Sequence, residues 1–357
     1  MADALRIGIL GAGKAAEGHA RAYGRLPDVR VAGIWNRTRA RAEALIGRLE
    51  HEPRLYGRWQ DMISDDRIDV ISIATAPLLR SEPLRLAVDH GRHVLVEKPI
   101  SIGVSEAGDM VAAAGTSGAV TAACFNWRYA PAYQTAWRAI RAGEIGAVRD
   151  IRTEWNFRVI TADFFRAQPW TIRLDRSNGP MGEGLSHDWD KVRFLTGCEF
   201  TKIVSVVAPV TFKQTGDFLV EGGRTFHLAE LSNGVIGQFS LAVMPGQDRW
   251  NMTVIGDEGS LVIPDAGTSL VRQRADDEQP IDVPISDQDR APAGVNLLQH
   301  TWNRLIADFV RAVRDRDIQH EGVPHLAALV DGLRTEEIIA GARRSSETRQ
   351  WMTIRLV

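Results

Sequence analysis

Lys98 stands between Glu97 and Pro99, at the end of the apolar run Val94-Leu95-Val96 entered from a turn at Gly91. A continuous apolar run of this length suits a strand buried on both faces of a parallel sheet. Proline has no N–H to give to a ladder and restricts the residue before it, so the strand stops at Lys98. A lysine placed there is a charged donor held stiffly at the carboxyl rim of a sheet, where open α/β folds bind ligands. An ordinary strand-end lysine fits the same pattern. Yet of 43 Lys+Arg only Lys14, Lys98, Lys191, Lys202 and Lys213 are lysine. Lysine used before a proline in a chain so biased toward arginine is read as functional.

A second group of reactive side chains lies in Gly182-Glu183-Gly184-Leu185-Ser186-His187-Asp188-Trp189-Asp190, which leads into a helix reaching about Leu195. On a helix Glu183 and His187 share a face, and Asp190 lies beside them at the next i+3 position. Three readings stay open. Glu183 complements the helix dipole beside a core histidine. Glu183, His187 and Asp190 bind a metal, although no further His or Cys cluster completes the site, and no metal is expected. Glu183 orients the His187 imidazole in a proton-transfer pair.

These residues need elements to position them. Leu5 to Leu10 is an apolar strand leading into Gly11-Ala12-Gly13-Lys14-Ala15-Ala16 and a helix from Ala15 to about Arg25. Strand, G-x-G-x-x-A and helix make the dinucleotide fingerprint. Gly11 allows the tight turn, Gly13 lets backbone approach a pyrophosphate, and the N–H groups opening the helix near Lys14 and Ala15 face the phosphates. Val31 to Trp35, Asp69 to Thr75, Val94 to Glu97 and Val120 to Phe125 read as strands. Thr38 to Leu49, Glu82 to His90 and Val104 to Gly115 read as helices. These strands alternating with helices over about 125 residues predict a doubly wound parallel sheet. Thr75 and Pro77 end a strand on the rim that carries Glu97 and Lys98, so all four are expected cofactor contacts.

At the end of the second strand an NAD-preferring fold usually carries an acid on the adenosine ribose. Asn36 stands there instead, followed by Arg37, Arg39 and Arg41. Without the carboxylate a 2′-phosphate is not repelled, and Arg37 can pair with it. The expected cofactor is therefore NADP or NAD, with NADP favoured slightly.

After Phe125 the pattern changes, so residues 1–125 and 126–357 are expected as two domains. Tyr133, Trp137 and Ile140 mark one face of a helix, and Val148 to Phe157 alternates like a half-buried strand. Residues 158–180 read as a long loop. From Lys202 onward five strands separated by turns such as Asn233-Gly234 predict a mostly antiparallel sheet. Residues 274–295 read as a loop. Two amphipathic helices, Leu297 to Arg314 and His325 to Arg343, and a strand from Trp351 to Val357 close the chain. The stripe Trp302, Leu305, Phe309 and Val313 is read as core. The fold class is α/β: a Rossmann sheet followed by an α+β domain.

Apolar residues at 44% and charged ones at 25% are the proportions of a soluble globular protein. A formal net charge of −2 removes the electrostatic case for nucleic acid or an anionic membrane. No apolar run approaches the roughly 20 residues of a membrane helix. Cys124 and Cys198, the only cysteines, make no disulfide framework. With no signal-peptide pattern, the expected location is cytoplasmic.

The chain resembles the glucose–fructose oxidoreductase/inositol dehydrogenase/rhizopine-catabolism (Gfo/Idh/MocA) family over nearly its whole length. The resemblance rests on Gly11-Ala12-Gly13, Asp69 to Thr75, Gly91 to Pro99, Asn126-Trp127-Arg128-Tyr129 and the His187-x-x-Asp190 segment. It implies a nicotinamide cofactor, a sugar, cyclitol or related polyol substrate, and a large open sheet through which dimers or tetramers assemble. It also implies that Lys98, Glu183 and His187 form the active site. On that reading His187 takes the hydroxyl proton, Lys98 stabilises the developing alkoxide and Glu183 holds the imidazole tautomer. Asn126, Arg128, Trp155, Trp170, Arg173 and Asp190 are candidate substrate contacts. Three departures stand out. Glu183 replaces the usual Asp, Leu185 replaces a usual glycine, and Arg80 stands where histidine is frequent. Two rival readings are a redox-assisted glycoside hydrolase or lyase and a non-enzymatic dinucleotide sensor. The pairing of Lys98 with His187 argues against the sensor, which needs neither.

Overall fold

The computed structural model describes residues 4–157, 168–212, 218–244 and 248–356. The chain folds as two compact units, Met1–Asn126 with Leu298–Leu333, and Trp127–Leu297 with Arg334–Val357. The expected spans 1–125 and 126–357 do not contain this return of the chain to the first unit.

In the first unit, strands β1 (Leu5–Leu10), β2 (Val29–Trp35), β3 (Arg54–Leu55), β4 (Val70–Ile73), β5 (His93–Glu97) and β6 (Thr121–Cys124) form one sheet in the order β3-β2-β1-β4-β5-β6. Every pairing is parallel. The helices between them are α1 (Lys14–Tyr23), α2 (Arg39–Ile46), α3 (Trp59–Ile63), α4 (Ser81–Asp89) and α5 (Val104–Ser117). This is the doubly wound fold, and the strand order reverses between β1 and β4, where such sheets bind their ligands. All residues of β4 and β5 are buried, the polar Ser72, His93 and Glu97 included. β3 is only two residues long, too short for any periodicity to locate it.

Helix α8 (Leu297–Asp315) buries the stripe Trp302, Leu305, Phe309 and Val313. Trp302 lies against α1 at Gly18, where a Cβ would come within 2.2 Å of the indole. Only glycine admits that approach, and burying side chains of this size contributes roughly 1.5–3 kcal/mol each.

In the second unit, nine strands run in the order β14-β13-β12-β11-β7-β10-β9-β8-β15. They are β7 (Val148–Phe157), β8 (Phe200–Phe212), β9 (Phe218–Leu231), β10 (Ile236–Val243), β11 (Arg249–Gly256), β12 (Gly259–Ile263), β13 (Val271–Arg274), β14 (Ile281–Asp282) and β15 (Met352–Thr353). All neighbours are antiparallel except β7 and β10, which pair in parallel from Asp150↔Ile236 to Phe157↔Val243. The sheet is thus mostly antiparallel, as expected. The closing strand is shorter than expected, Met352–Thr353, and the segment read as a loop over 274–295 contains β14.

Helices α6 (Pro131–Arg141), α7 (Ser186–Thr196) and the later part of α9 (Leu329–Thr348) contribute Tyr133, Trp189 and Ile338 to the second unit's core, where Phe200 of β8 and Phe239 of β10 join them. Alternation along β7 buries Ile151, Thr153 and Trp155 and exposes Arg152 and Glu154. The outward-facing side chains of β8, β9 and β10 include exposed Val206, Phe226, Leu228 and Ile236. A shallow hollow of about 590 Å³ lies there, lined in part by Arg152, Glu154, Val206, Phe226 and Leu228.

His227 of β9 points inward, its Nδ1 2.7 Å from Ser205 Oγ, with the Trp189 ring edge-on to it. Burial pushes the imidazole pKa down to about 3, so the folded protein holds it neutral. A depressed folded pKa contributes stability above the usual imidazole value, and that stability is lost as pH falls through it. The unfolding free energy should drop by about 2 kcal/mol between roughly pH 7 and pH 5 on account of this residue alone. Urea titrations should show that part of the slope missing in His227→Leu. An unchanged slope would assign the acid sensitivity to other groups.

Candidate active site

In the first unit the candidate residues collect at the carboxyl ends of β1, β2, β4 and β5. Gly11 follows β1 with φ +121°, and a Cβ there would lie 2.6 Å from the Ala74 carbonyl oxygen. The position is therefore restricted to glycine by both torsion and space. Gly11 N–H donates to Trp35 O at 2.8 Å, and Ala74 N–H to Leu10 O at 2.8 Å, which binds the loop to both neighbouring strands. Gly13 caps α1, and a Cβ at that position would meet nothing within 4 Å, so the helix start is open to an incoming group. Lys14 is exposed on its first turn and Ala15 half-buried. An accessible helix N-terminus beside a glycine turn at the point where strand order reverses fits a pyrophosphate.

Asn36 donates its Nδ2 to Thr38 O at 2.9 Å, closing the turn after β2, and Arg37 is exposed. Among the described residues Arg37 has no ion pair, whereas Arg39 is engaged by Glu43 at 2.8 Å. Thr75 follows β4, and Pro77 opens a single 3-10 turn, Pro77–Leu79. Lys98 is half-buried directly after β5, and the Lys98–Pro99 peptide is cis.

Under this rim lies a buried polar network. Glu97 Oε2 accepts from the Lys98 backbone N–H at 3.1 Å, and Glu97 Oε1 lies 3.0 Å from His19 Nε2. His19 Nδ1 is 2.9 Å from Ser72 Oγ, and Cys124 Sγ is 3.5 Å from His19 Nε2. His19, Glu97 and Cys124 present metal-ligand types within 4.8 Å of one another, but they satisfy each other by hydrogen bonding. Burial works to raise the Glu97 pKa. The His19 hydrogen bond and charge, followed by the charges of Lys98 and Arg80, outweigh it and hold the carboxyl well below the usual range. Asn126 is buried and donates Nδ2 to Thr301 Oγ1 at 2.7 Å.

In the second unit Glu183 and His187 belong to one continuous helical stretch that is not uniformly α. Met181–Leu185 is π-helical and passes into α7 at Ser186. A π turn carries extra backbone per turn, and such turns recur at functional sites. The glycines flanking Glu183 have steric causes: a Cβ on Gly182 would sit 2.0 Å from Ser177 O, and one on Gly184 2.7 Å from Leu241 Cδ1. Glu183 is half-buried and His187 buried. The Trp127 ring stands edge-on to His187 with centroids 6.4 Å apart, and packs on Trp250, which stacks on Trp155 at 3.9 Å. His187 thus meets Trp127, the first of three tryptophans packed in series.

The structure engages Arg128 and Asp190 with each other: Arg128 Nε donates to Asp190 Oδ2 at 2.7 Å and Nη2 to Oδ1 at 2.6 Å, with both side chains buried. Trp170 is half-buried in the 3-10 turn Pro169–Ile172, and Arg173 is exposed and paired with Asp175 at 2.9 Å. Residues 158–167 of the expected loop lie outside the described residues. One cluster went unnoticed in the sequence. Lys191 is fully buried, with Nζ 2.8 Å from Asp188 Oδ1 and 2.9 Å from Tyr133 Oη, over the rings of Tyr133 and Trp250. Trp250 Nε1 also donates to Asp188 at 2.9 Å. Burial works to lower the Lys191 pKa, but Asp188 and Tyr133 shift it upward on balance. The available signal was the i,i+3 spacing of Asp188 and Lys191 in a chain poor in lysine.

Residues 5–125 match the model of an oxidoreductase family with an NAD-binding Rossmann fold, and residues 133–262 match a GFO/IDH/MocA C-terminal domain. The scyllo-inositol 2-dehydrogenase (NAD(+)) of Bacillus subtilis is 25% identical over 272 residues, covering 74% of this chain and 75% of that protein. Levoglucosan dehydrogenase of Pseudarthrobacter phenanthrenivorans is 26% identical over 216 residues, 57% of this chain and 54% of that protein. With an uncharacterised oxidoreductase of Bacillus subtilis, 24% identical, the match spans 62% of the relative's length. Among solved structures, a levoglucosan dehydrogenase in complex with NADH and levoglucosan superposes with a TM-score of 0.85 at 21% identity, over 99% of this chain and 100% of that one.

Proposed function

Because the chain belongs to the Gfo/Idh/MocA family of oxidoreductases with an NAD-binding Rossmann fold, we propose that it transfers a hydride between a nicotinamide cofactor and a secondary alcohol or ketone of a sugar, cyclitol or related polyol. The observation that carries this reading is the glycine turn at the β1/β4 reversal, with Lys98 two strands along on the same rim. Relatives named as inositol and levoglucosan dehydrogenases support the substrate class.

The nicotinamide, when bound, supplies or accepts the hydride. Gly11, Gly13 and the N–H groups opening α1 hold the phosphates. Lys98 donates a hydrogen bond to the substrate oxygen and stabilises its negative charge as the proton leaves. His187 takes that proton in oxidation and returns it in reduction, the shuttle role an imidazole can play near neutrality. Glu183 orients the ring. Trp127, backed by the stacked pair Trp250 and Trp155, makes the apolar wall that excludes water beside His187. The outward apolar side chains of β8 to β10 are the surface through which copies of the chain assemble.

The test is a panel of sugars and cyclitols, including scyllo-inositol and levoglucosan, followed at the absorbance of the reduced cofactor. Net accumulation of reduced cofactor supports a dehydrogenase. Substrate cleavage without it would favour a redox-assisted hydrolase or lyase.

On the cofactor, NADP is expected to bind at least as well as NAD, because Asn36 carries no charge to repel a 2′-phosphate and Arg37 is free of ion pairing among the described residues. Arg37→Ala should weaken NADP binding about 10-fold, the scale of one charge-assisted contact, and leave NAD nearly unchanged. Calorimetric titration of both oxidised cofactors checks this. A clear NAD preference unaltered in the variant would refute it.

A further inference from the structure

Arg80 closes the single turn after Thr75-Ala76-Pro77 and starts α4. A charged side chain beside a ligand rim is expected to reach outward, but this one turns in and is 5% exposed. Its guanidinium is occupied by main-chain carbonyls from two strand ends. Nε and Nη2 donate to Thr75 O at 2.9 and 2.6 Å, and Nη1 donates to Glu97 O at 2.5 Å and to Pro99 O. Glu97 and Pro99 are the neighbours of Lys98 on either side. The Lys98 N–H is itself held by Glu97 Oε2, whose other oxygen is fixed by His19 and, through it, Ser72. Thus the peptide entering Lys98, the carbonyl one residue beyond it and the end of β4 are joined through one planar fork. Lysine or histidine at position 80 has too few donors in one plane to make that set of contacts.

We propose that Arg80 is a positioning residue for the Lys98 amine. By clamping the carbonyls of Glu97 and Pro99 against the end of β4, it sets where the Lys98 side chain leaves the rim. The inference rests on the reading of Lys98 as the group that stabilises the substrate oxygen, and its test separates the two claims. A shift of about 1 Å in a reacting group lowers turnover severely without weakening binding to match, so a clamp acts on kcat more than on KM.

The chain's five lysines make the amine directly observable. Protein carrying lysine labelled with 13C at Cε, saturated with NAD, should give a Lys98 signal that is identified by its loss in Lys98→Arg. In Arg80→Met this signal should shift or broaden while those of Lys191 and Lys202 stay in place. Arg80→Lys, which keeps the charge and loses the fork, should behave like Arg80→Met, and it replaces that variant if Arg80→Met fails to fold. With the panel alcohol that turns over fastest, Arg80→Met should lower kcat about 10-fold with KM and the NAD dissociation constant within about 3-fold. In a Lys98→Ala background the same change should add less than about 2-fold, because the group it positions is gone. An unmoved Lys98 signal, or a displacement spread equally over Lys98 and Lys191, would overturn the proposal. So would fully multiplicative losses in the double variant. A Lys98→Ala enzyme with undiminished turnover would instead refute the catalytic reading, while the resonance measurement still decides whether Arg80 places the amine.

Discussion

Lys98→Ala and His187→Ala are each expected to lower kcat by about 10²-fold or more, the scale for losing a positioned acid–base or charge-stabilising group. Cofactor affinity should barely change in either, because the proposed phosphate site is the Gly11–Gly13 turn and the start of α1, of which neither side chain is part. Glu183→Gln should be milder, since an amide still holds a ring nitrogen but lacks the charge that favours imidazolium. The pH profile adds an independent check. Alcohol oxidation should rise with pH as the histidine loses its proton, and that limb should be absent in His187→Ala. Near-normal turnover in His187→Ala would mean that another group moves the proton, and the assignment would fall.

Asp190→Asn is expected to destabilise the second unit by about 3–5 kcal/mol, the cost of leaving a buried ion without its partner. The motive is the bidentate pair with Arg128, in which both side chains are almost wholly removed from water. Arg128 also lies over the Phe194 ring of α7, so the pair ties the chain after Asn126 to the helix that carries His187. The double replacement Arg128→Met, Asp190→Leu should regain most of the loss, because no charge is then left uncompensated. Urea unfolding followed by tryptophan fluorescence measures both. Loss of turnover without loss of stability in Asp190→Asn would instead point to a substrate contact.

The alternation of strand and helix up to Phe125 was legible because parallel strands buried on both faces write themselves as short apolar runs, and glycine loops admit few alternatives. Lys98 stood out because Pro99 restricts the backbone beside it in a chain poor in lysine, and Glu183 and His187 because a spacing of four puts them on one helix face. The mostly antiparallel character of the second sheet followed from its turns. Its one parallel pair, β7 with β10, did not, because strand partners chosen across more than 70 residues leave no local trace.

Tertiary structure alone decided the rest. A burial pattern names α8 as amphipathic but not the core it enters, and only packing shows that Trp302 rests on Gly18 of α1. On the π turn at Met181–Leu185, Gly184 lies too close to Trp155 and Leu241 to carry a Cβ, and both neighbours are distant in the chain. Arg128 and Asp190 look like groups available to a sugar until the fold makes each the other's partner. Arg80 looks like a surface cation until three carbonyls from two strand ends converge on it. Residue type and local spacing therefore determined the fold class, the dinucleotide loop and the candidate chemistry, since these depend on backbone restriction and hydrophobic period. Which charged groups are exposed to ligand and which are locked into the scaffold depends on partners distant in sequence, and only the folded chain brings those together.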